Sequence, residues 1–128
     1  MIPVMDAGTG LEQMICFELY AASRAMTALY RPTLDAAGLT YPQYLVMRVL
    51  GHRGATTVRD LGTALRLDSG TLSPLLKRLE TQGLLVSEWR EEEKRNKRFY
   101  RLSPEGEQIL THLLQEWHDI NASINRIV

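Results

Sequence analysis

The segment between residues 57 and 83 predicts two helices separated by a tight turn. Thr57 is a cap for the first helix, which carries an acid in its first turn. The chain then turns at Leu67–Gly70. Because Pro74 has no N–H and fits best in a first turn, we expect the second helix to begin nearer Thr71 than Asp68. Apolar side chains at helical spacing give the two helices an inward face: Leu61, Leu65, Leu72, Leu75, Leu76 and Leu79.

A charged hairpin is predicted directly after these helices. The runs Leu84–Trp89 and Phe99–Leu102 have the composition of strands. Between them, Arg90–Arg98 holds no apolar residue and is expected to be a solvated tip. Trp89 and Trp117 are assigned to strand and helix packing. A short helix, a turn, a second helix and a hairpin together make a winged helix-turn-helix.

Longer helices are predicted on both sides of this unit. The first covers residues 11–30 and is expected to end before Pro32, with a break from Asp35 to Gly38. The second begins with a capping box at Thr40 and ends near Gly51–Gly54. The last begins at Ser103-Pro104-Glu105 and has an apolar face formed by Ile109, Leu113, Leu114, Trp117, Ile120 and Ile124. The expected fold is therefore mainly α with a small β-hairpin wing.

Composition limits the class of protein. A chain of 128 residues with 45% hydrophobic and 23% charged residues is expected to form one globular domain. It shows no secretory signal and no apolar run of the roughly 20 residues that span a bilayer, so no membrane partner is expected. With one cysteine and no disulfide framework, a reducing cytoplasm is the expected location.

A basic segment lies in the middle of a chain whose formal net charge is zero. Residues 58–101 hold ten Lys or Arg and seven Asp or Glu, a net charge of +3. Because the second helix of a helix-turn-helix enters the major groove, its polar residues are candidate DNA contacts, although they could instead form the wet side of an amphipathic helix. The candidates on this helix are Ser69, Thr71, Ser73, Lys77 and Arg78, and those on the hairpin are Arg90, Lys94, Arg95, Lys97 and Arg98.

Cys16 is the only cysteine, and four of the five tyrosines lie within 28 residues of it. Its thiol is either a packed core group or a reactive group, and the residue types leave both readings open. Tyr20, four residues on, shares a helix face with Cys16. Tyr30 lies about 21 Å further along a continuous helix, so it could approach Cys16 only from another subunit or after a fold-back. The three histidines form no metal constellation, and we expect no cofactor and no enzymatic site.

The sequence resembles the MarR family of winged-helix repressors, and within it the branch of organic hydroperoxide resistance regulators (OhrR). The matching stretches are Cys16–Arg24 (CFELYAASR), Tyr30–Pro32 (YRP), Gly38–Met47 (GLTYPQYLVM) and Leu67–Glu80 (LDSGTLSPLLKRLE). Where the family wing has Asp-x-Arg near its tip, this chain has Glu93-Lys94-Arg95. Relatives commonly continue into a further helix beyond the position of Val128. We therefore expect dimerisation to depend on the N-terminal helix and residues 104–128.

The resemblance implies a homodimer that binds double-stranded operator DNA and represses a peroxidase gene. Oxidation of Cys16 by an organic hydroperoxide would then release the operator. The same resemblance makes Tyr20, Tyr30 and Tyr41 the hydrogen-bond donors to the thiol, Tyr30 coming from the partner subunit. It makes residues 69–82 the recognition helix. Residues 11–56 and 103–128 would form the dimerisation and sensor region, and 57–102 the DNA-binding region.

Three functions compete at this point. The first is the peroxide-responsive repressor, in which an oxidised Cys16 without a second cysteine could form a mixed disulfide with a low-molecular-weight thiol. The second is a repressor of the same family that a small-molecule ligand releases, with Cys16 merely structural. The third is a thiol peroxidase, which is disfavoured because the chain has no resolving cysteine and no evident cation beside Cys16.

Overall fold

The computed structural model describes residues 10–127, except for the side chains at 12, 117, 119–121 and 123–127. A 3-10 turn at Leu11–Gln13 precedes the first long helix. The elements that follow are α1 (Ile15–Ala37), α2 (Tyr41–Arg53), β1 (Thr56–Thr57), α3 (Val58–Leu65), α4 (Ser69–Thr81), β2 (Leu85–Glu92), β3 (Arg95–Leu102) and α5 (Pro104–Ile127). The expected order of helices and hairpin is confirmed. No helix in the described range is long and apolar enough to cross a membrane.

The wing is a three-stranded antiparallel sheet rather than a hairpin alone. Its order is β1-β3-β2, and β1 pairs through Thr56 with Tyr100 and through Thr57 with Phe99. The predicted loop Arg90–Arg98 is wrong, because both strands continue almost to the tip and only Glu93 and Lys94 form the turn. These two residues have φ angles of 54° and 64°, as a two-residue type I′ turn requires.

The predicted end of the first helix before Pro32 is also wrong. Helix α1 contains Pro32 and continues to Ala37. Its packing explains why, since Tyr30 and Leu34 on either side of the proline are only 5% exposed and hold this segment against the core. The helix ends at Gly38, whose φ of 71° lets the Leu39 amide bond back to the Leu34 carbonyl, 2.9 Å away.

Helix α4 begins earlier than the sequence suggested. Asp68 is its N-cap, and the Asp68 carboxylate accepts a hydrogen bond from the backbone N–H of Thr71 at 3.2 Å. Pro74 therefore lies inside the helix and removes one backbone hydrogen bond. Burial of the leucines on both sides of it outweighs that loss, since Leu72, Leu76 and Leu79 are at most 1% exposed.

The two caps next to α2 and α5 match the expected chemistry. Thr40 and Gln43 form a capping box, in which the Gln43 side chain accepts a hydrogen bond from the Thr40 backbone N–H at 2.9 Å. The Ser103 hydroxyl accepts a hydrogen bond from the Gly106 backbone N–H at 3.0 Å and donates one to the Gly83 carbonyl at 2.6 Å. These two bonds connect the start of α5 to the residues that follow α4.

One core connects the helices to the sheet. Met47, Leu50 and Leu61 are among its most buried members. The partly buried residues around it include Ile109 and Leu114 of α5. The predicted apolar positions Trp117, Ile120 and Ile124 lie outside the described side chains.

Candidate functional site

Helix α4 divides cleanly into a buried face and an exposed face. Its leucines at 72, 76 and 79 lie in the core. All five of its predicted DNA contacts are exposed: Ser69, Thr71, Ser73, Lys77 and Arg78. The folded chain can thus present hydroxyl and cationic groups along one helix, and their contact with DNA stays a prediction.

The N-terminus of α4 already holds a negative charge. Hydrogen bonds from Thr71 hold the pKa of the Asp68 carboxyl below its ordinary value, so Asp68 is ionised at neutral pH. This carboxylate interacts favourably with the positive end of the helix dipole. A phosphate at this end of α4 would meet the Asp68 charge, so the exposed side chains further along the helix are better placed to contact DNA.

The basic residues of the wing differ in their surroundings. Arg90 pairs with Glu88, and its guanidinium carbon lies 4.9 Å from the centre of the Phe99 ring. Arg98 contacts Glu80 of α4 at 3.4 Å. For Lys94, Arg95 and Lys97, no ion pair is found with the side chains that the structure describes.

Two residues near this surface were missed or misassigned from the sequence. Arg59 of α3 lines a cleft of about 530 Å³ together with Thr63 of the same helix and Ser69 of α4, which adds a cation beside the start of α4. One indication of Arg59 was present in the sequence, since this residue belongs to the basic segment 58–101. Trp89, expected to be packed, is 68% exposed on β2, because the strand extends beyond the core at that point.

Two of the expected thiol donors, Tyr30 and Tyr41, meet Tyr44 where α1 packs against the start of α2. The rings of Tyr30 and Tyr41 are stacked, with centroids 6.2 Å apart, and Tyr44 lies 6.0 Å from Tyr41. Burial raises the pKa of Tyr30, and the neighbouring Tyr41 and Tyr44 raise it further. Burial and Tyr44 likewise raise the pKa of Tyr41, while Arg48 acts in the opposite direction.

Cys16 lies apart from this tyrosine cluster within one chain. It is exposed near the beginning of α1, as is Tyr20 one turn further on. The Arg24 guanidinium carbon lies 5.7 Å from the centre of the Tyr20 ring. Because α1 is continuous, Cys16 and Tyr30 are about 21 Å apart along the helix axis. The chain therefore brings Tyr30 and Tyr41 together, whereas Cys16 lies one helical turn from Tyr20 and apart from that pair.

The exposed side of α1 around Cys16 is strongly apolar. Ile15 is 78% exposed and Leu19 66% exposed. Further exposed apolar side chains on the same helix are Tyr20, Met26 and Leu29. Exposed apolar side chains grouped on one helix in this way are typical of an interaction surface.

A groove lies between the second half of α1 and the beginning of α2. Its volume is about 430 Å³, and Thr27, Arg31, Asp35 and Tyr41 contribute to its walls. The described residues contain no group of three His, Cys, Asp or Glu side chains able to hold a metal ion.

Comparisons with known proteins agree with this architecture. The model of the MarR family matches residues 39–97. The chain is 50% identical over 86 residues to the organic hydroperoxide resistance transcriptional regulator of Bacillus subtilis. This match covers 67% of this chain and 58% of that protein. It thus spans less than two thirds of that relative.

Two further proteins match over more of their length. The regulator MgrA of Staphylococcus aureus is 38% identical over 104 residues, covering 80% of this chain and 70% of MgrA. The structure of reduced AbfR of Staphylococcus epidermidis bound to DNA is 34% identical, with a TM-score of 0.73 over 83% of this chain and 73% of that one. From its winged helix-turn-helix and these similarities, the chain belongs to the MarR family.

Proposed function

We propose that this protein is a DNA-binding transcriptional repressor that senses organic hydroperoxides through oxidation of Cys16. The observation that carries the DNA-binding part is the division of α4 into buried leucines and an exposed row of hydroxyl and basic side chains. The sensing part rests on the exposed thiol of Cys16 beside Tyr20 and on the 50% identity to an organic hydroperoxide resistance regulator.

The DNA-binding surface combines α4 with the tip of the wing. Lys77 and Arg78 can neutralise phosphates or, in the case of Arg78, bond to a guanine edge. The basic side chains of Lys94 and Arg95 suit the negative potential of the minor groove. The similarity to AbfR, whose reduced form has been solved bound to DNA, supports this assignment.

The working form is a homodimer in which α1 is part of the interface. Exposed Ile15 and Leu19 would be removed from water by a partner, and each square ångström of buried apolar surface contributes about 25 cal/mol. A partner helix could also bring the tyrosine cluster of one subunit to Cys16 of the other. The distance of about 21 Å between Cys16 and Tyr30 within a chain favours this exchange over a contact inside one subunit.

The sensing reaction is a two-electron oxidation of sulfur. The Cys16 thiolate attacks the terminal oxygen of the hydroperoxide, the S–O bond forms as the O–O bond breaks, and the alkoxide leaves and takes a proton to become an alcohol. Cys16 is then a sulfenic acid. Since the sequence holds one cysteine, no disulfide can form within one chain, and a low-molecular-weight thiol from solution could form a mixed disulfide with the sulfenic acid, releasing water. The apolar side chains around Cys16 favour an organic hydroperoxide over hydrogen peroxide.

One observation favours a second candidate, a repressor released by a small ligand. The groove between α1 and α2 has the size of a small-molecule site and carries the cation of Arg31. In that case Cys16 would be structural, and oxidation would not be needed for release from DNA.

Substitution of Cys16 separates the two functions. A duplex is first selected from a random-sequence library by the wild-type protein, and its binding is measured by fluorescence anisotropy before and after cumene hydroperoxide. We expect the wild type to lose affinity as the mass of Cys16 increases, and Cys16→Ser to bind equally well before and after treatment. Release of Cys16→Ser at the same dose would show that the sensing function is wrong.

The DNA-binding part has its own test on the same duplex. Arg78→Ala is expected to weaken binding by roughly 1–3 kcal/mol if Arg78 reads a base. Unchanged affinity would remove Arg78 from the interface. If the wild type selects no duplex at all, the proposed repressor function is wrong.

A further inference from the structure

Arg98 lies where the wing meets the recognition helix. Its Nη2 atom is 3.4 Å from both carboxylate oxygens of Glu80, near the end of α4. The same guanidinium donates to the hydroxyl of Ser87 on β2, with Nε at 3.0 Å and Nη2 at 2.9 Å. The Ser87 hydroxyl in turn donates to Glu80 at 3.1 Å, which closes the network.

The network joins three separate elements. Glu80 belongs to α4, Ser87 to β2 and Arg98 to β3. The guanidinium carbon of Arg98 also lies 5.1 Å from the ring centre of Tyr100, which is only 6% exposed and therefore fixed in the core. A planar guanidinium held by a carboxylate, a hydroxyl and a ring has little freedom to turn toward another partner.

The surroundings of Arg98 contrast with those of the wing tip. Lys94 and Arg95 are exposed, as Arg98 is, but neither of them forms an ion pair with any described side chain. Both carboxylate oxygens of Glu80 are already directed at Arg98. A phosphate that approached Arg98 would have to displace Glu80 or meet its negative charge.

We propose that Arg98 is a positioning residue for DNA binding, which fixes the wing relative to the recognition helix through Ser87 and Glu80 and does not itself neutralise a phosphate. This inference rests on the proposed DNA-binding function. If α4 and the wing tip contact DNA together, holding them at a fixed separation removes an ordering cost from binding. Loss of the network would therefore weaken binding without removing a contact to DNA.

The dependence of binding on salt distinguishes the two roles. Each phosphate contact contributes about −0.9 to the slope of log K against log salt concentration, because a counterion is released. We expect Arg95→Gln, the matched control at the tip, to reduce the magnitude of this slope by about one. Arg98→Gln is expected to lower affinity for the selected duplex roughly threefold to tenfold at every salt concentration and to leave the slope unchanged.

The two possible roles of Arg98, phosphate contact and positioning residue, predict opposite effects of Glu80→Gln on the affinity for DNA. Removing a negative charge beside bound DNA would by simple repulsion strengthen binding, whereas loss of the network weakens it. We expect Glu80→Gln to weaken binding about as much as Arg98→Gln, and the double variant to weaken it no further.

Several results would overturn the inference. A slope reduced by about one in Arg98→Gln, or tighter binding by Glu80→Gln, would make Arg98 a phosphate contact. A double-mutant cycle on urea unfolding without DNA tests the network alone, and additive effects of the two substitutions would also overturn it. Failure of the wild type to select any duplex would instead overturn the DNA-binding function, and the role of Arg98 with it.

Discussion

The ring of Tyr30, on α1, stacks on the ring of Tyr41, the first residue of α2, with centroids 6.2 Å apart. The stack joins a helix that carries the sole cysteine to a helix that packs against α3 and α4. It is therefore a direct structural connection between the proposed sensor and the helix-turn-helix.

Burial of this stack predicts a loss of stability at alkaline pH. The pKa of Tyr30 and that of Tyr41 are raised in the folded state, so above pH about 10 the unfolded chain ionises these phenols before the folded one does. The unfolded state then binds fewer protons, and the free energy of unfolding falls as pH rises. Tyr30→Phe should show a shallower fall between pH 9 and pH 11 by urea unfolding. Parallel curves for the two proteins would contradict this account.

Gly106→Ala is expected to destabilise the protein although alanine favours helices. A Cβ at this position of α5 would lie 2.2 Å from the backbone oxygen of Leu84, which cannot move aside as a side chain could. We expect the free energy of unfolding to fall by about 1–3 kcal/mol in urea titration. Gly70→Ala is the control, since its Cβ would meet only the flexible Asp68 carboxylate at 3.4 Å. Equal stability of the two variants would refute the steric argument.

Lys94→Gly should stabilise the wing. Lys94 has a φ of 64°, a conformation that an L side chain disfavours and glycine adopts freely. The expected gain in free energy of unfolding is about 0.5–1 kcal/mol, measured by thermal or urea unfolding. Lys97→Gly, in the strand β3, is the control and should lose stability. A loss in both variants would mean that the turn conformation carries no strain.

Trp89 offers an optical signal for the wing. It is 68% exposed on β2, on the sheet position that pairs with Arg98. In a Trp117→Phe background, we expect its emission to shift to shorter wavelength on binding the selected duplex, because the wing surface loses water. The Trp89→Phe variant supplies the blank. An unchanged spectrum at saturating DNA would place this face of the wing away from the duplex.

Local signals in the sequence predicted those features that neighbouring residues determine. The capping box at Thr40 and Gln43 and the end of α2 beside Gly54 are formed by residues within one or two turns of each other, and the structure confirms them. The two proline positions failed for the opposite reason. At Pro32 and Pro74 the local preference is against a helix interior, and burial of residues contributed by other parts of the chain outweighs it.

Long-range contacts account for the rest. The two-residue strand β1 exists because Tyr100 and Phe99 pair with it, some forty residues later, and no local pattern announces it. The same holds in the candidate site. The five basic wing residues look equivalent in the sequence, and only the fold reveals that Arg98 faces Glu80 while Lys94 lies in the turn.

Thr57 ends β1 and at the same time caps α3, where its hydroxyl accepts the Asp60 amide at 3.2 Å. No residue is left between strand and helix to act as a hinge. The helix-turn-helix and its wing are thus joined directly at this threonine as well as through the Arg98 network. In the proposed homodimer, we therefore expect a change at α1 to alter the spacing between the two helix-turn-helix units more than the shape of either one.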